Sequence, residues 1–141
     1  MGLRRKGRVI AFQAIFSWDV NKNSIHDILK FEWIDIENAK IKDESLIFAR
    51  LLIKGIIDNI SVIDKVIKDH LDNWDFTRIS KVDLSILRLS TYSLLFQKEI
   101  AGNIIIDEAV DISRDFSSED SYRFINGVLD SIYKEIDDIK K

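Results

Sequence analysis

The sequence predicts an all-α protein, and three observations carry that reading. Proline is absent and glycine supplies only 5 of 141 residues, whereas strand-and-turn proteins draw on both at their turns. Apolar residues recur at steps of three and four over most of the chain, as in Ala49, Leu52, Ile53, Ile56, Ile60, Ile63 and Ile67, which is the period of a helix with one buried face. The breaks between such stretches carry residues that cap helices. Isoleucine is abundant and β-branched, a mild argument for strands, but the spacing outweighs it.

Taken in order, a first helix is expected over about residues 3–20. Asn21, Lys22, Asn23 and Ser24 make a polar break, and Ser24 is placed to cap a short second helix bearing Ile28 and Leu29, with Trp33 as its furthest candidate. Residues 35–45 read as a loop. The run from Ala49 to Ile67 is either one long helix or two joined near residues 59–61. Residues 74–79 read as a connector. Ser80-Lys81-Val82-Asp83 has the outline of a capping box, with Asp in place of Glu or Gln, and opens a helix through Ile86, Leu89, Tyr92 and Phe96. Gly102 is expected to break that helix and Asn103 to cap the next, which carries Ile106, Ala109, Val110 and Ser113. Ser117 or Ser118 is expected to cap the last, with Glu119 and Asp120 suited to its N-terminal dipole. Ile125, Val128, Leu129, Ile132 and Ile136 form its apolar stripe, and Lys140 and Lys141 are expected to fray. The count is about seven helices.

With 46% hydrophobic and 32% charged residues, the composition is that of a soluble globular protein, and the length suits one domain over residues 1–141. No cysteine is present, which excludes a disulfide framework and a thiolate metal site. No apolar run approaches the roughly 18–20 residues of a membrane span. The basic start is followed by Gln13, Trp18 and Asp19 without a small-residue cleavage site, so a signal peptide is not expected and the expected compartment is the cytoplasm.

Charge is unevenly distributed. The net charge is −3, yet Arg4, Arg5, Lys6 and Arg8 precede the first acid, Asp19. Residues 1–18 therefore carry +4 and the rest of the chain −7. A basic end on an acidic body points to two different partners, or to one partner and one solvated surface.

Signals for catalysis are poor. The only histidines are His26 and His70, and neither stands at helical metal-ligand spacing from a carboxylate. Glycine-rich phosphate loops and a nucleophile elbow are both missing. Asp107, Asp111 and Asp115 fall on one helical face. Its readings are acid–base work or a held cation, a solvated surface, which is favoured, and a landing surface for a basic protein, which gains some weight because like charges at this spacing cost some helix stability. No catalytic residue, metal site or cofactor is expected.

The basic end has more to offer. Arg5, Arg8, Phe12 and Phe16 lie within an arc of about 80° on a helical wheel. Guanidinium groups suit phosphates, and aromatic faces stack on unpaired bases, so the helix has the makings of an RNA footprint. Phe12 is expected inside and Phe16 at the surface. A membrane-surface segment is the other reading of the cluster, although lipid binding favours a clean amphipathic helix with an exposed apolar face.

Four stretches in order carry a resemblance over nearly the whole chain: "RRKGRVIAFQAIFSWD", "FARLLIKGIIDNISVIDKVIKDHLDNW", "RISKVDLSILRLSTYSLL" and "IIIDEAVDISRDFSSEDSYRFINGVLDSI". Together they resemble the NusB family of transcription antitermination factors. The resemblance implies a compact all-helical fold of two packed subdomains and no enzymatic activity. It implies binding of boxA-type RNA of ribosomal RNA transcripts, together with the ribosomal protein NusE, in an antitermination complex on RNA polymerase. Matched residue by residue, it implies RNA contacts for Arg4, Arg5, Lys6 and Arg8, for Phe16, and for Asp120, Ser121 and Phe124 of "EDSYRF". It implies a contact with the protein partner for Asp83, while for Arg88 a buried ion pair and an RNA contact are both open.

Three departures bear on partner contacts more than on the fold: Ala101 where the family commonly has proline, Asp107 where it has asparagine, and Ser93 where it often has glutamate. Gly127 is retained inside a helix, at a cost of about 1 kcal/mol relative to alanine, and a close helix crossing is the expected reason. A different reading of the whole is a helical adaptor whose acidic surface, including Asp83, Asp107 and Asp111, docks basic proteins, with RNA incidental. Exposed parts of the first helix also allow a homodimer.

Overall fold

The computed structural model describes residues 2–140, the last three by their helical backbone alone, and Lys141 lies outside them. Among the described residues there are eight α-helices and no strand, in agreement with the predicted class. They divide into two units, Met1–Asp58 and Asn59–Lys141.

The first unit holds α1 (Leu3–Asn21), α2 (Ile25–Ile28), α3 (Ile36–Ala39) and α4 (Asp43–Asp58). Helix α1 packs along α4, burying Ile10, Ala11, Phe12, Ala14 and Ile15 against a face that includes Ala49, Leu52, Ile53 and Ile56. Gly7 sets the spacing at the start of α1. A Cβ there would lie 2.8 Å from Phe48 Cδ2 and 3.0 Å from the Ser45 carbonyl oxygen, so any larger residue forces the helices apart. One turn earlier, Ser45 Oγ donates to the Leu3 carbonyl at 2.9 Å.

Helix α1 stops where Lys22 turns left-handed, with φ 58°. Ser24 then caps α2 by accepting the Asp27 N–H, as its position predicts. The expected loop over residues 35–45 is instead mostly helical. Asp35 accepts the Asn38 N–H and so caps α3, and α4 already begins at Asp43. Lys40, with φ 54°, ends α3.

The second unit holds α5 (Ile60–Asp69), α6 (Lys81–Phe96), α7 (Gly102–Phe116) and α8 (Ser121–Lys140), with one 3-10 turn at Phe76–Arg78. The run from Ala49 to Ile67 is thus two helices parted at Asn59. Helix α6 packs against α5, α7 and α8, and it is accordingly buried on nearly every side, from Leu84 through Thr91. Ser80 accepts the Asp83 N–H, the first half of the expected capping box.

Arg88, only 7% exposed, forks onto Asp64 of α5 with two bonds of 2.9 Å. Between its two open readings, the ion pair is what forms. His70, which caps the end of α5, meets Glu135 of α8.

Several local expectations are corrected. Asn103 does not cap α7: the helix starts one residue earlier, behind Ala101, and α6 has already ended at Phe96. Gly102 is therefore a first-turn residue, and its lack of a side chain makes room for the Tyr133 ring. Helix α8 starts at Ser121, too late for Ser117 or Ser118 to stand at its cap, and Asp120 precedes it instead. Gly127 has no neighbouring atom within 4 Å of where a Cβ would stand, so no helix crosses there. Helix α8 runs to Lys140, and Lys141, expected to fray with it, lies outside the described residues.

Candidate nucleic-acid interface

The four cations of the basic end meet four different environments. Arg4 is exposed, with its guanidinium 5.6 Å from the centre of the Phe48 ring, a cation–π distance. Arg5 is half-buried. Lys6 turns onto the end of α3, its Nζ donating to the carbonyls of Ala39 at 3.0 Å and Lys40 at 3.4 Å. Those carbonyls sit at a helix C-terminus, where a cation is favoured. Arg8 is 4% exposed. Along the same helix Phe12 is buried and Phe16 half-buried, the division expected between them. The exposed cation of α1 is thus Arg4, with Arg5 and, further along, Phe16 half-buried.

In the second unit the structure brings together residues that the sequence keeps apart. Asp120 is exposed just ahead of α8, and Ser121 opens that helix almost buried. The Ser117 hydroxyl donates to Asp83 Oδ1 at 2.6 Å, and its oxygen lies 2.9 Å from Ser121 Oγ. The Ser118 hydroxyl lies 2.8 Å from Ser121 Oγ. Asp83 is therefore 8% exposed, and its carboxylate engages the serine cluster rather than closing the capping box. Phe124 is half-buried, and its ring is tilted against Trp74 with centroids 5.5 Å apart. Asp83, Asp120, Ser121 and Phe124 all line one open pocket of about 610 Å³, with Trp74, Arg78 and Phe116 among its other walls.

Sequence reasoning did not single out Trp74, Arg78 or Phe116. The available signal was an aromatic residue in a polar connector, beside Asn73 and Asp75. It also passed over Tyr122 and Arg123. The guanidinium of Arg114 lies 4.7 Å and that of Arg123 5.6 Å from the Tyr122 ring centre, and Arg123 Nε donates to Tyr122 Oη at 3.1 Å. That hydrogen bond first, and the charge of Arg123 second, hold the Tyr122 hydroxyl below the usual phenol range. Asp107 and Asp111 line a neighbouring hollow with these two arginines, so the acidic stripe faces cations of its own chain. Among the described residues no group of histidines and carboxylates is arranged to hold a metal ion. No helix among them is long and apolar enough to cross a membrane.

Fold and site together define an all-α protein whose candidate chemistry is that of binding: cations on one helix, and aromatic, hydroxyl and carboxylate groups around an open pocket. The chain belongs to the NusB family, whose model matches residues 5–134. The transcription antitermination protein NusB of Treponema denticola is 48% identical over 129 residues, covering 92% of this chain and 94% of that protein. A solved structure of T. maritima NusB superposes with a TM-score of 0.83 at 38% identity, covering 94% of this chain and 91% of that one. A crystal structure of the antitermination factors NusB and NusE in complex with double-stranded RNA superposes with a TM-score of 0.83 at 28% identity, covering 96% and 98% of the two chains.

Proposed function

We propose that this protein is a non-catalytic, RNA-binding transcription antitermination factor. In this reading it binds boxA-type RNA of ribosomal RNA transcripts together with NusE and joins the antitermination complex on RNA polymerase, in the cytoplasm. The observation that carries the proposal is family membership across both units, with relatives named as antitermination proteins and a structural neighbour solved with NusE and RNA.

The chemistry agrees. Arg4 offers an exposed guanidinium group on α1 beside the half-buried Arg5, and Phe16 follows with a partly open ring, a combination suited to phosphates and bases. Lys6 and Arg8 belong to the same proposed footprint. Their engagement with α3 and their burial, respectively, give them a second role in holding the helix that presents it. Asp120, Ser121 and Phe124 are proposed as the contribution of the second unit, and Asp83 as a residue of the protein-partner surface.

Titration of the purified protein with boxA-type RNA and with a scrambled RNA of equal length tests the reading. Tighter binding of the boxA-type RNA, strengthened further when NusE is added, is expected. Equal and weak binding of both RNAs, with NusE binding intact, would replace this reading by that of a protein adaptor.

A further inference from the structure

The pocket of the second unit holds a combination that the function proposed above does not yet use. Trp74 is 53% exposed and Phe116 42% exposed, a large outlay of aromatic surface for one hollow. The neighbours of Trp74 hold it in place. Asn73 takes the left-handed conformation with φ 57°, one that asparagine tolerates better than most residues. Asp75 then fixes the following turn, its Oδ1 accepting the Thr77 N–H at 2.9 Å and the Thr77 hydroxyl at 2.8 Å. Trp74 is thus held outward between two pinned residues, with its ring inclined 44° to that of Phe124. Arg78 ends the same turn, lines the same pocket and makes no ion pair among the described residues.

We propose that Trp74 and Phe124 form a platform on which one unpaired nucleobase of the bound RNA stacks, with Arg78 taking a phosphate beside it. The inference rests on the RNA-binding reading above. A base is favoured over a protein side chain because the pocket joins three things a nucleotide needs. It has exposed aromatic faces, a cation at the wall, and the exposed carboxylate of Asp120 at the rim to meet a base edge. Its lining also includes Phe124, Ser121 and Asp120, the residues proposed above as this unit's contribution to RNA binding. A preorganised platform of this kind keeps the ordering cost of binding low.

The test uses the full chain and boxA-type RNA. Trp74→Ala is expected to weaken RNA binding by about 5- to 150-fold, the range for loss of one stacked base, and Trp74→Phe to restore most of it. In a variant carrying Trp18→Phe and Trp33→Phe, Trp74 is the sole tryptophan, and its emission is expected to be quenched along the same binding curve. This fluorescence arm still decides if the alanine variant loses its circular dichroism. RNA binding unchanged in Trp74→Ala, or emission unmoved by saturating RNA, overturns the inference. So does a variant that loses NusE but keeps RNA, which would assign the platform to the protein partner. If Arg4→Ala/Arg5→Ala weakens binding while Trp74→Ala does not, the inference alone falls. If the unaltered protein binds no RNA, the function proposed above falls with it.

Discussion

At the scale of the residue, Gly7 and Gly127 show why the same amino acid answers to different forces. Gly7 stands where α1 touches α4, with a backbone oxygen and an aromatic carbon inside the space a methyl group would need. Gly7→Ala is expected to cost about 1–3 kcal/mol, the usual price of overpacking. Gly127 faces open space in the middle of α8, where its only effect on the isolated chain is the flexibility it brings. Gly127→Ala is expected to add about 0.5–1 kcal/mol. Urea unfolding midpoints for the two variants should move in opposite directions. The sequence shows both as glycines in helical stretches and does not tell them apart, because the neighbour that matters at Gly7 is some forty residues away.

At the scale of the element, helix α5 is held to α6 by the Arg88–Asp64 fork. Both partners are largely shielded, so removing the carboxylate leaves a guanidinium in the interior with less to satisfy it. Asp64→Ala is expected to destabilise the protein by about 3 kcal/mol, and Asp64→Glu to recover part of this, read from urea unfolding midpoints. Periodicity located α1, α6, α7 and α8 because each is long enough to repeat its pattern several times. It missed α3 and the start of α4. A four-residue helix has scarcely one turn, too short for any period to appear, and its sign was a single cap, Asp35. The caps themselves were legible where the side chain meets its own helix, as at Ser24 and Ser80. They failed at Ser117 and Ser118, whose hydroxyls are drawn to Asp83 and Ser121 instead.

At the scale of the whole molecule, the function proposed above asks a chain of net charge −3, with +4 over its first 18 residues, to attract RNA locally and repel it elsewhere. Affinity should therefore fall steeply with salt, with a log–log slope of roughly −0.7 for each phosphate neutralised on single-stranded RNA. Replacing Arg4 and Arg5 together by alanine is expected to flatten that slope by about 1.4 if each neutralises one phosphate. Affinities measured from low to moderate salt check this directly. An unchanged slope would remove these two side chains from the RNA surface.

What the sequence determined by itself is the helical class, the polarity of charge along the chain and the family. All three are written locally, in spacing, composition and short runs of text. Tertiary structure alone decided the fate of individual polar groups. It took Arg8 inside, tied Lys6 to the end of α3, gave Arg88 to Asp64 and Asp83 to Ser117, and set Trp74 against Phe124. The physical reason is that a buried charge or hydroxyl must find a partner in space. Which partner it finds depends on how distant segments pack, and that information is spread over the chain rather than carried by any one motif.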